Sequence, residues 1–255
     1  MSTEDSKIKE GTIGLFNANF EHNFCRLKLN LNEVPNFSLF EGEIVVAEGF
    51  CDTKKFNVNR IWKPAVKPLE LHSSDSLQVS KKNQGNKALE IMLACGPYTV
   101  NNELSFEALK DLMAVVNRDK PHVLIMSGPF VSCGHEDVMS GDLRYRDLET
   151  GELCFMDYNQ LFEEIMNYIY KNVDASTELV LVPSVQEISH FYPMPQPPMS
   201  TSMFDGTKMR VQNRMPHLVS NPGMFSINEV TFGFVNTDVV KDMCVNMVVK
   251  NSADG

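Results

Sequence analysis

Cys133, His135, Glu136 and Asp137 are the most metal-like cluster in this 255-residue chain, four ligand types within five positions. Thiolate, imidazole and carboxylate all coordinate zinc, but a Cys-x-His pair needs two further ligands to close a tetrahedral site. The same residues also read as a surface loop opening a short helix, with Glu136 and Asp137 at its positive end. Spacing alone is a weak signal, so the loop is the plainer reading. Ser184 and His190 form a second candidate, because nucleophilic catalysis needs a hydroxyl within reach of an imidazole. His190 has no evident metal or nucleophile to serve, which favours a structural or surface role. Ser127 sits in Ile125-Met126-Ser127-Gly128-Pro129-Phe130, which lacks the Gly-x-Ser-x-Gly turn of a nucleophile elbow.

These residues hang on elements that alternate strand and helix from Leu89 onward. "LEIMLA" (89–94), "HVLIMS" (122–127) and "ELVLVP" (178–183) read as buried strands. Between them Phe106, Leu109, Leu112, Met113 and Val116 recur at helical spacing, with Ser105 as the expected N-cap and Glu107 in the first turn. Asp157 is placed to cap a second helix whose Leu161, Ile165 and Ile169 form one stripe. Such alternation predicts a parallel sheet with helices on both faces, followed by a later strand at 229–235.

In parallel sheets the carboxyl ends of the strands collect the ligands. Here those ends read Cys95-Gly96-Pro97, Gly128-Pro129 and Pro183-Ser184. A two-metal phosphoesterase would carry Asp-x-His, Gly-Asp and Gly-Asn-His-Asp or its Glu variant at these three points, holding the metals about 3.5–4 Å apart. The turns are present and the ligands are not. The expectation is therefore no catalytic residue, no metal and no cofactor.

The first quarter of the chain has a different period. Residues 11–20, 24–31, 42–50 and 55–62 are candidate strands, and Arg26 to Leu31 alternates strictly. Short strands with turns roughly every ten residues suggest a small β-barrel of OB type. Phe16, Phe20, Phe24, Phe50, Phe56 and Trp62 could stack bases there, although burial habits place most of them in the barrel interior. Residues 64–87 carry two prolines and then a Ser/Asn/Gln/Lys run, read as linker or surface loop. The expected division is a barrel domain at 1–66, a linker at 67–87 and an α/β domain at 88–255.

Charge limits the partners. The chain has net charge −10, and residues 1–66 carry 8 basic and 9 acidic side chains, so most of the excess lies further on. Nucleic acid is repelled by such a surface without a local basic patch, and Arg144, Arg146, Lys208, Arg210 and Arg214 read as scattered solvated charge. The six cysteines show no Cys-x-x-Cys pair. No apolar run reaches the ~18 residues of a membrane span, and the polar N-terminus reads as no signal peptide; a reducing intracellular compartment and no membrane partner are the expectations. Tyr192-Pro193-Met194-Pro195-Gln196-Pro197-Pro198 forces an extended path, either a rigid loop on the protein's own surface or a preorganised strip for a partner.

The stretch "ACGPYTVNNELSFEALKDLMAVVNRDKPHVLIMSGPFV" resembles the B subunits of eukaryotic DNA polymerase α–primase, as do "VPSVQEISHFYPMPQPP" and "NPGMFSINEVTFGFVNTD". The resemblance covers roughly residues 11 to 240. It implies an OB-fold followed by an α/β calcineurin-like phosphoesterase domain that has lost activity, so that the strand-end loops are vestigial. It implies a nuclear scaffold that holds the catalytic polymerase subunit through that subunit's zinc-bearing C-terminal domain, and primase subunits through the complex. Family members carry an N-terminal interaction domain and a longer C-terminal segment, so the chain reads as a fragment or short form. Two other readings stay open from the residues: a single-strand-binding OB protein and an active metal-dependent phosphodiesterase or nuclease.

Overall fold

The computed structural model describes residues 13–15, 27–52, 55–65, 73–99 and 104–251. Expected strand residues 11–12, 16–20 and 24–26 lie outside this set, with Phe16, Phe20 and Phe24 among them, as do linker residues 67–72. The chain divides into two compact units, Met1–Glu70 with Asp238–Gly255, and Leu71–Thr237.

In the first unit, β1 (Gly14–Leu15), β2 (Leu27–Asn30), β5 (Phe56–Trp62) and β4 (Val46–Cys51) form one sheet in that order. The short β3 (Asn36–Leu39) lies outside it. Alternation does what the period requires: Leu29 and Leu31 are buried while Lys28 is exposed. They join Val34, Phe37, Leu39 and Val58 in a small core. The β4–β5 register shifts at Glu48 and Gly49. A side chain at 49 would collide with the Asn57 carbonyl, so this bulge requires glycine. Of the described aromatics, Phe56 packs on the core, whereas Phe50 and Trp62 are exposed rather than interior.

The second unit opens with α1 (Ser74–Asn83), inside the segment expected as linker. Ser73 caps it, accepting from Ser76 N–H, with Asp75 in its first turn and Lys81 and Lys82 in its last. It buries no residue, so no apolar period announced it. The parallel sheet runs β6 (Ile91–Cys95), β7 (Val123–Ser127), β10 (Glu178–Val182) and β11 (His217–Leu218), side by side in that order. Central β7 is buried along its whole length.

One face of this sheet receives α2 (Glu107–Asp119) and α4 (Tyr158–Asn172). The α2 N-cap is the buried Phe106 with no side-chain cap bond, not Ser105. Asp157 does cap α4, in a reciprocal box with Gln160. Leu161, Phe162, Ile165, Met166 and Ile169 are buried along α4, each contributing about 1.5–3 kcal/mol over exposure. Short elements α3 (Glu136–Ser140), the β8–β9 hairpin (Arg144–Arg146, Leu153–Phe155) and α5 (Lys208–Val211) connect these.

The opposite face is covered differently from the expectation of helices on both sides. There the antiparallel hairpin β12 (Gly223–Ile227) and β13 (Val230–Phe234) lays Phe225, Ile227 and Phe234 over Val123, Ile125 and Val180. The strand expected at 229–235 thus belongs to a covering hairpin.

The last stretch leaves this unit. After α6 (Val239–Asn246), β14 (Val248–Asn251) pairs antiparallel with β3, so residues 238–255 group with the first unit and not with the α/β domain drawn through residue 255. The expected barrel is not closed among the described residues. Its strands form two separate sheets because β3 takes its partner from the far end of the chain, a pairing no local period can signal. Among the described residues, no helix is long and apolar enough to cross a membrane.

Candidate functional site at the strand ends

Register brings the three strand ends together. Cys95 and Val182 both lie beside Ser127. The turns beyond them continue the ladder: Gly96 N–H donates to Ser127 O and Gly128 N–H to Val182 O, both at 2.9 Å. The backbones then approach too closely for side chains. A Cβ on Gly96 would strike Pro129 O and lie 3.0 Å from Pro129 N; one on Gly128 would lie 2.8 Å from Glu187 Oε2. The loops at Cys95, Gly96, Pro97, Gly128, Pro129, Pro183 and Ser184 therefore do converge on one shelf.

The shelf is filled by the chain's own polar side chains. Glu187 is fully buried; its Oε2 accepts from Phe130 N–H at 2.6 Å and its Oε1 from Val131 N–H at 3.0 Å. Burial pushes its carboxyl up from 4.5 to about 7, against the opposing pull of the Phe130, Val131 and Ile188 amides. Asn236 Nδ2 donates to both Gly128 O (2.9 Å) and Pro183 O (3.0 Å), joining two strand ends. Asn221 lies behind it, donating to Gln196 Oε1 (2.9 Å) and Asn236 O (3.0 Å) and accepting from Asn236 N–H (2.8 Å). Gln196 Nε2 completes the chain at Ser184 O, 3.0 Å. Tyr98 closes the other side, its hydroxyl on Ser127 O at 2.9 Å and its ring stacked on Phe130.

Neutral amides bonded to backbone carbonyls are poor ligands for a divalent cation, and both oxygens of the one carboxyl already accept N–H groups. The donor set does not fit the two-cation site such strand ends carry in a phosphoesterase. What the arrangement does is tie β7, β10 and the segments around Gln196 and Asn221 into one buried network. Replacing Asn221 by Ala would orphan the Asn236 N–H and two acceptors and is expected to cost about 2 kcal/mol. Thermal unfolding followed by circular dichroism would register a lower midpoint.

Sequence reasoning missed Tyr98, Glu187, Gln196, Asn221 and Asn236 as a group. They lie within the stretches that carry the family resemblance, but nothing local says that they meet. The other candidates resolve individually. His135 is the N-cap of α3, its Nδ1 accepting from Asp137 N–H at 3.3 Å, while Asp137 Oδ2 holds Leu104 N–H at 3.2 Å. Among the described residues, no three His, Cys, Asp or Glu side chains group as a metal site, the Cys133 cluster included. Ser184 Oγ accepts from Gln186 N–H at 3.1 Å, and the buried His190 places Nε2 3.0 Å from Pro197 O, so each is engaged apart from the other.

The proline segment is anchored at these points. Tyr192 tilts its ring against His190, with centroids 4.8 Å apart, and Tyr192, Pro193, Pro195, Pro197 and Pro198 are exposed around the buried Gln196. Three of the basic residues have local partners: Arg144 pairs with Asp142, Arg146 donates to Gly151 O, and Arg210 lies 3.6 Å from Asp205. Arg214 caps the end of α4 through the carbonyls of Val173 and Asp174, with its guanidinium over the Tyr170 ring.

Comparison with known proteins is consistent with the sequence resemblance. A family model describing the B subunit of DNA polymerase alpha/epsilon matches residues 91–255. The B subunit of DNA polymerase alpha from Bos taurus is 30% identical over 232 residues, which is 89% of this chain and 34% of that protein. The protein of the same name from Saccharomyces cerevisiae is 31% identical over 222 residues, 86% of this chain and 30% of that protein. The Mus musculus protein is 30% identical over 224 residues. The chain thus spans about a third of the length of these relatives. By the extent of these matches, the chain belongs to the family of DNA polymerase alpha/epsilon B subunits.

Proposed function

We propose that this chain serves as a non-catalytic accessory subunit of DNA polymerase α–primase in the nucleus. In this reading it scaffolds the catalytic subunit through that subunit's zinc-bearing C-terminal domain, with primase subunits reached through the complex. The first unit is then a variant of the OB-fold and the second a calcineurin-like phosphoesterase domain without activity. Cys95, Gly96, Pro97, Gly128, Pro129, Pro183 and Ser184 are vestigial turns.

The observation that carries this reading is the filled shelf. Asn236 and Gln196 donate to carbonyls at the strand ends, and both oxygens of Glu187 accept backbone amides, so the groups present serve the fold. Net charge −10 supports a protein partner over direct nucleic-acid binding. The test is co-purification of the chain with the C-terminal region of the polymerase catalytic subunit, expected to give a stable complex. Manganese-dependent turnover of a chromogenic phosphodiester, abolished by chelator, would sink the non-catalytic part.

A further inference from the structure

From Ile188 to Phe204 the sequence holds no Asp, Glu, Lys or Arg, in a chain of net charge −10. The structure closes residues 185–196 into a loop that joins the first half of this stretch to the three residues before it, of which the one charged residue, Glu187, is fully buried. Gln196 Nε2 donates to Ser184 O at 3.0 Å and joins the loop's two ends. Within it Glu187, Ile188 and His190 point inward and are buried. Glu187 is pinned to Phe130 and Val131, and His190 to Pro197 O. Outward the loop presents Val185, Phe191, Tyr192 and Met194, with Phe191 80% exposed and Tyr192 54%.

Large apolar side chains held at the surface by a buried network are costly to leave in water, and scattered exposure does not explain four on one closed loop. Aromatic and Met side chains with charge excluded are the composition of an interface centre. The anchored backbone and the prolines leave little chain entropy to lose on docking. Phosphate contacts need Lys or Arg, and the stretch has none, so a nucleic acid is the wrong chemistry. An acidic molecule that keeps one surface stretch uncharged suits a partner surface that is likewise apolar and uncharged.

We propose that the loop from Val185 to Gln196 is a preformed docking site for an uncharged, apolar patch on a protein partner. Resting on the function proposed above, that partner is the polymerase catalytic subunit. Phe191 and Tyr192 are its central contacts.

The test compares the full 255-residue chain with Phe191→Asp, which spares the Tyr192 ring packed on His190, and with Val211→Asp, an equally exposed apolar position on α5. Affinity for the catalytic subunit's C-terminal region is measured by calorimetry, with thermal unfolding as the folding control. The loop variant is expected to bind at least about 30-fold more weakly at an unchanged unfolding midpoint, as for an aromatic hot spot, while Val211→Asp binds like wild type. Equal binding by all three would overturn the loop assignment and leave the subunit function intact. No binding by wild type would overturn both. Self-association of wild type that the loop variant abolishes would make a second copy the occupant, and loss of oligonucleotide binding in that variant would make it nucleic acid; either result overturns the proposal.

Discussion

Replacing Glu187 with Ala will destabilise the chain by about 4 kcal/mol, because it strands two buried backbone N–H groups and opens a cavity beneath the second strand end. Phe130 and Val131 N–H have no water to turn to, since Glu187 itself is wholly buried. Glu187 also makes stability depend on pH, with a definite sign. Its folded pKa is raised to about 7 from an ordinary 4.5, so the folded state holds the proton more tightly than the unfolded chain. The stabilisation is complete below about 4.5 and is lost as pH rises through about 7, a range worth about 3 kcal/mol. Glu187→Gln keeps the site neutral but turns one acceptor into a donor. It will lower the starting stability and flatten the dependence. Urea unfolding of wild type and Glu187→Gln across that window checks both points, and parallel slopes for the two proteins would refute the assignment.

Gly96→Ala will cost about 3 kcal/mol, a large effect for one methyl group. The added carbon meets backbone on the adjoining turn, Pro129 O and N, which cannot rotate away as a side chain would. Relief requires parting the first two strand ends, and with them the Tyr98 bond to Ser127 O. Gly233→Ala supplies the control. Open space surrounds that position, and its cost should fall within about 0.5 kcal/mol. Thermal midpoints of the two variants separate the steric explanation from a general intolerance of alanine.

These two positions illustrate different degrees of legibility. Gly96 and Gly128 stand out in the sequence because each follows an apolar run that reads as a strand. Glu187 does not, since "VPSVQEISH" reads as an ordinary loop and its one acid as a solvated charge. The same holds for β14: nothing in "VVKN" says that it will pair with "NFSL" more than two hundred residues earlier. Helix α1 escaped notice for the opposite reason, because it buries nothing and hence leaves no apolar stripe.

The sequence by itself determined the alternation of strand and helix after Leu89, the Asp157 cap, and the turns Cys95-Gly96-Pro97, Gly128-Pro129 and Pro183-Ser184, none of which carries an acid or an imidazole. These are local properties, written in side-chain period and residue type within a few positions. Only the tertiary structure decided that Glu187, Gln196, Asn221 and Asn236 would fill the shelf, that a hairpin would cover the sheet's second face, and that residues 238–255 would return to the first unit. Asn236 lies 108 residues from the carbonyl at Gly128 that it binds. A neutral amide carries no signal over that distance, because its partner is a backbone atom that every residue possesses.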